Sequence, residues 1–149
     1  MSNFKKIISL LSVSIIFLFC KTKQPTFVEN EVYEVVYKSQ IGGKKEKSNL
    51  IIKNYEDFNA LISELNIDES EFEKLLRIDL EKHTLLVSFL GEKATGGYDI
   101  AVDKVKFSTT SSEVVLKEIV PAKNAMVTMV VTSPYIFVTF PKKKSIIIK

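Results

Sequence analysis

Few side chains in this 149-residue chain are suited to covalent or metal chemistry, and their placement narrows the choice further. There is one histidine, His83, and one cysteine, Cys20. Acid–base catalysis near neutral pH leans on imidazole, and a hydroxyl or thiol nucleophile needs a base beside it. His83 stands between Lys82 and Thr84 at the start of an apolar run, a place that reads as structural. A Cys–His dyad is not expected, because Cys20 closes an apolar N-terminal stretch. No Ser lies in a Gly-x-Ser-x-Gly elbow, and no phosphate loop or dinucleotide fingerprint is present. One Cys and one His cannot build a zinc cluster of the Cys/His kind, nor an internal disulfide. The acidic run Asp68-Glu69-Ser70-Glu71 lacks the alternating oxygen ligands and glycine of a calcium loop and reads as helix-start charge. Asp99 and Asp103 flank one expected strand and are read as solvent-facing. The expectation is a chain that is not an enzyme and holds neither metal nor small-molecule cofactor.

One segment has another kind of chemistry. Gly91-Glu92-Lys93-Ala94-Thr95-Gly96-Gly97-Tyr98 is long for a hairpin turn and ends in two glycines before an aromatic that opens a strand. Consecutive glycines permit positive φ and close backbone approach. Two readings stay open: a tight turn that tucks Tyr98 into the core, or a surface of loop amides and the Tyr98 ring that meets an extended peptide.

The N-terminus reads as an address. Lys5-Lys6 precede an uncharged run, Ile7 to Phe19, with no proline. A basic start followed by a short apolar stretch is the secretory pattern. As a helix, Ile7–Cys20 spans roughly 21 Å against about 30 Å of hydrocarbon, too short to cross comfortably. Cys20 then stands before Lys21-Thr22-Lys23, with Leu18 two positions upstream and Phe19 where a small residue is usual. This resembles a bacterial lipoprotein signal, which implies lipid attachment at Cys20 and a cell-envelope location on a bacterial membrane. Residues 1–19 are the expected signal, 20–31 a tether containing Pro25, and 32–149 a single domain.

Composition agrees with one globular body: 46% hydrophobic and 26% charged residues. The net charge is +3, and two of the positives, Lys5 and Lys6, lie in the expected signal. A near-neutral body argues against nucleic acid as a partner, which needs a concentrated basic field.

The elements that must position the loop follow from periodicity. Val- and Tyr-rich residues from Glu31 to Gln40 predict a strand, Ile41-Gly42-Gly43-Lys44 a turn, and Ser48 to Lys53 the return strand of a hairpin. Phe58, Leu61, Ile62 and Leu65 form a helical stripe, capped by Asn54 with Asp57 in the first turn. A second helix begins at Asp68 with a capping box to Glu71, an Ile67–Phe72 staple, and Phe72, Leu75 and Leu76 as its buried side. His83 to Leu90 predicts a central strand. Tyr98, Ile100 and Val102 alternate, and then Val105 and Phe107 take the opposite parity, which predicts a β-bulge near Asp103-Lys104. Val114 to Val120, Met126 to Thr132, Tyr135 to Phe140 and Ile146 to Ile148 complete the expected strands. The fold class is α+β: mostly antiparallel, sandwich-like, with a short helical insertion after the first hairpin.

Gly91-Glu92-x-x-Thr95-Gly96-Gly97-Tyr98-x-Ile100-x-Val102 resembles the signature of the PrcB family of protease-complex subunits, in its C-terminal domain. Ile78-Asp79-Leu80 upstream, and Pro121 and Ser133-Pro134-Tyr135 with Val138 downstream, keep that family's order over roughly residues 54–142. The resemblance implies an envelope lipoprotein that associates with and stabilises a secreted serine protease without catalysis of its own. Thr95, Gly96, Gly97 and Tyr98, joined by Pro134 and Tyr135, are the candidate protein-binding residues. The alternatives are a structural envelope lipoprotein with no protease partner and a small protease inhibitor.

Overall fold

Two short sheets and a pair of helices stack as three layers in the computed structural model, which describes residues 32–65 and 67–149. The expected signal, the lipid-attachment residue Cys20 and the tether lie outside the described residues. The first sheet holds β1 (Glu34–Ser39), β2 (Ser48–Ile52), β3 (His83–Phe89) and β6 (Tyr135–Pro141) in the order β1-β6-β3-β2, all antiparallel. The second holds β4 (Asp99–Phe107), β5 (Ser111–Ile119) and β7 (Ser145–Ile148) in the order β4-β5-β7, with β7 parallel to β5. Helices α1 (Tyr55–Glu64) and α2 (Glu69–Leu75) follow the first two strands. The α+β class, mostly antiparallel with helices between the early and later strands, is borne out.

Burial explains the layering. The central strands β3 and β6 are apolar at both parities because each of their faces is covered. Leu85, Val87, Phe89, Tyr135 and Phe137 face the helices and pack with Phe58, Leu61, Leu65 and Leu75. Leu86, Leu90, Ile136, Val138 and Phe140 face the second sheet and pack with Ile100, Phe107 and Val114. Each such side chain fully withdrawn from water contributes roughly 1.5–3 kcal/mol of transfer free energy.

Local signals held in most places. Asn54 caps α1 by accepting a hydrogen bond from the Asp57 amide at 2.8 Å. The β4–β5 ladder shifts register between Val102 and Lys104, which leaves Asp103 as the bulged residue. That bulge keeps Val105 and Phe107 on the inner side with Ile100 and Val102.

Other expectations are corrected. The arms β1 and β2 run in opposite directions but are not partners, because β6 and β3 lie between them. Asp68 makes no side-chain cap; Glu71 instead pairs with Lys74. Leu76 is half exposed, since only Leu75 on that turn reaches the core. Gly91–Tyr98 is not a hairpin turn but the crossover from the first sheet to the second. Residues 126–132 form no strand. They belong to the return crossover from β5 to β6, and their one ladder contact is an isolated bridge between Thr132 and Lys93.

Candidate functional site

The two crossovers meet at the end of the sandwich where β3 and β5 finish, and they are sewn together by main-chain bonds. Lys93 and Thr132 exchange amide–carbonyl hydrogen bonds of 2.8 and 2.9 Å. The Gly96 amide donates to the Thr128 carbonyl at 2.9 Å, and the Thr132 hydroxyl donates to the Thr95 carbonyl at 2.9 Å. The β1–β2 connection joins them through Gly43 N–H to Ser133 O at 3.1 Å and Glu92 N–H to Lys45 O at 2.9 Å. Irregular backbone has its polar groups satisfied here by other irregular backbone, which is what gives such loops a defined shape.

Both glycines are required by this contact. A side chain on Gly96 would collide with the Thr128 hydroxyl. Gly97 sits at φ +87°, in the left-handed region, and a Cβ there would lie 2.9 Å from Pro121 Cβ and 3.0 Å from Val127 Cγ1. Only a residue without Cβ meets both the steric and the dihedral demand.

Charge fixes the loop from the other side. Glu118, on β5, accepts from Lys93 Nζ at 2.9 Å and from Lys47 Nζ at 3.3 Å. These lysines, Lys93 foremost, hold its carboxyl below the ordinary value of 4.5. Lys93 Nζ also lies 5.2 Å from the centre of the Tyr98 ring, within cation–π range. Tyr98 itself is half-buried, one side against Lys93 and the other against the inter-sheet core.

The remaining candidates divide by burial. Thr95 is half-buried, Gly96 is buried and Gly97 exposed. Pro134 and Tyr135 are both buried. Tyr135 is 1% exposed and stacked on Phe89 with ring centres 5.6 Å apart, and burial pushes its phenol well above the ordinary range. Those two residues hold the loops from beneath and present no surface to a partner.

What the end of the molecule presents instead is aliphatic. Met126 and Met129 are 102% and 86% exposed, and Val120, Val130, Val131 and Ile41 all point to solvent. Beside them a shallow groove of about 380 Å³ is lined by Gln40, Gly97, Tyr98, Asp99, Ile119 and Thr128. Sequence reasoning missed these residues by assigning 126–132 to a strand. The available signal was a stretch between Pro121 and Pro134 with no charge after Lys123, facing a double-glycine loop.

His83 lies at the start of β3, and its one ring contact among the described residues is Nδ1 to the Asp79 carbonyl at 3.2 Å. Among the described residues no group of three or more His, Cys, Asp or Glu could hold a metal, and no helix is long and apolar enough to cross a membrane.

Residues 84–141 match the family model described as PrcB C-terminal. Over this stretch the chain is similar to the PrcB C-terminal family. The match runs from β3 through β6, so it contains both crossovers and the whole contact between the double glycine and Thr128. No curated protein and no solved structure matches the chain.

Proposed function

We propose that this protein is a non-enzymatic, lipid-anchored subunit of an extracytoplasmic protease complex, which it joins through the aliphatic end of the sandwich. The observation that carries this reading is the exposed Met126–Val131 segment, pinned to the Thr95-Gly96-Gly97 loop, inside the PrcB C-terminal match. Contiguous apolar surface rimmed by polar groups marks protein–protein contact, and methionine adapts to irregular partners. The shape of the end is built in, so little ordering cost falls on association. By binding only the folded state of the protease, this chain would stabilise it by mass action, with no catalysis of its own. Anchoring rests on the N-terminal pattern ending at Cys20 and would keep the subunit at the bacterial envelope.

The test is crosslinking and co-purification from detergent-solubilised envelopes, comparing the native protein with Met126→Glu/Met129→Glu. Both side chains are solvent-exposed, so the variant should melt like the native protein. Recovery of a stoichiometric protease with the native chain, lost in the variant, is the expected result. Recovery of the native chain alone, or equal capture by the variant, would overturn the reading.

A further inference from the structure

The second sheet is an outer layer, and among the described residues no element covers its outer face. The register identifies that face: Ala101 opposite Lys117, Lys104 opposite Val115, Lys106 opposite Glu113, with Glu113 beside Ile147 on β7. The bulge at Asp103 puts Lys104 and Lys106 outward by the same slip that turns Val105 and Phe107 inward. Lys149 reaches the face as well and pairs with Glu113 at 3.1 Å. The carboxyl of Glu113 is held below its ordinary pKa by Lys149 first, with Lys106 and Lys104 adding to the field. Four lysines therefore converge on a surface with two carboxylates of its own, Glu113 and Asp103, while Asp99 at its edge is taken by Lys38. Between them lie Ala101, Val115 and Ile147, with Ile119 at the end of the strand.

We propose that this face is a lipid-docking surface that lays the domain against a bilayer bearing anionic headgroups, an inference that rests on the anchored reading above. A flat aliphatic centre with lysines around it suits the interface, because lysine stems lie on apolar surface while the ammonium groups reach phosphate. The geometry of attachment favours a membrane over an acidic protein. Eleven residues separate Cys20 from Val32, a reach of at most about 40 Å, comparable to the diameter of a domain of this size. Held that close, the face meets headgroups at high effective concentration, so weak attraction suffices. Each lysine near an anionic surface strengthens contact about fivefold. With the strands lying along the bilayer, the Met126–Val131 end points sideways and stays open to a partner.

The full-length chain reconstituted on vesicles of phosphatidylcholine, with or without phosphatidylglycerol, tests this by lysine acetylation read by mass spectrometry. Lys104, Lys117 and Lys149 should be protected several-fold on the anionic vesicles alone, with protection lost at high salt. Lys45 and Lys123, at the partner-facing end, should label equally on both. Lys104→Gln/Lys117→Gln should abolish the protection of Lys149 without changing the melting temperature. A chain held on both kinds of vesicle but labelled identically overturns this inference and leaves the anchored reading intact. A chain that stays off both overturns the two together. Protection that arises only when a partner protein is added also overturns it, and assigns the face to protein contact.

Discussion

Two glycines and one carboxylate set the shape of the loop end of the sandwich. Gly97 carries both a left-handed backbone and a contact with Pro121 and Val127 that leaves no room for a methyl group. Gly97→Ala should cost about 1–3 kcal/mol in urea unfolding, the usual range for a non-glycine forced into such a site. The same substitution at Gly42, also left-handed but with open space around it, should cost less. Equal losses at the two positions would mean that the crossover contact contributes nothing. Glu118 adds a pH dependence whose sign is fixed. Its pKa is lowered in the folded state by Lys93 and Lys47, so its contribution is complete above 4.5 and fades as pH falls through the depressed folded value. Glu118→Gln should therefore narrow the stability difference between neutral and acidic pH, by less than about 1 kcal/mol for a partly exposed, solvent-screened pair. An acid-unfolding profile that does not change would remove Glu118 as a support of the loop.

At the scale of elements, the bulge in β4 does two jobs with one inserted residue. Deleting Asp103 would restore a simple ladder and flip either the Ile100–Val102 half or the Val105–Phe107 half of the strand to the wrong side. The expected outcome is loss of cooperative unfolding, which near-ultraviolet circular dichroism and a melting curve would register. Asp103→Asn, which keeps the residue count, should melt like the native protein. Much of this element was legible in the sequence: the parity change from Ile100–Val102 to Val105–Phe107 states the bulge outright, and Asn54 states the start of α1. Pairing was not legible. Nothing local in Glu34–Ser39 reports that its partner is β6, a hundred residues away, because register depends on which faces are buried in the assembled layers. The Met126–Thr132 error has the same root. β-branched and methionine side chains fit a pleated surface, yet a strand exists only where a neighbour offers a ladder, and here the backbone is used to grip Lys93 and Gly96. Likewise Pro134 and Tyr135 read as contact residues from their motif position, while their burial follows from β6 being central.

The whole molecule is polarised across its layers, with α1 and α2 covering one face of the first sheet and the second sheet exposing its outer side. Phe58 is the helix residue that ties this stack together, 1% exposed and packed among the β3 and β6 side chains. Phe58→Ala should destabilise by about 3–5 kcal/mol, much of the stability of a domain this size. Because the helical layer lies on the opposite face of the first sheet from the second sheet, this loss should act through global unfolding and not through any specific effect on the lysine face. The anchored reading makes a separate demand. If Cys20 carries lipid, Cys20→Ser should shift the protein from the detergent phase to the aqueous phase on phase separation, since stable anchoring needs the acyl chains. Its melting temperature should stay that of the native protein. The native N-terminus, read by intact-mass spectrometry, should start at Cys20 with a diacylglycerol adduct. An unmodified thiol on a chain that still begins at Met1 would detach the domain from the membrane account and make the lysine face an ordinary solvated one, while leaving the proposal for the aliphatic end untouched.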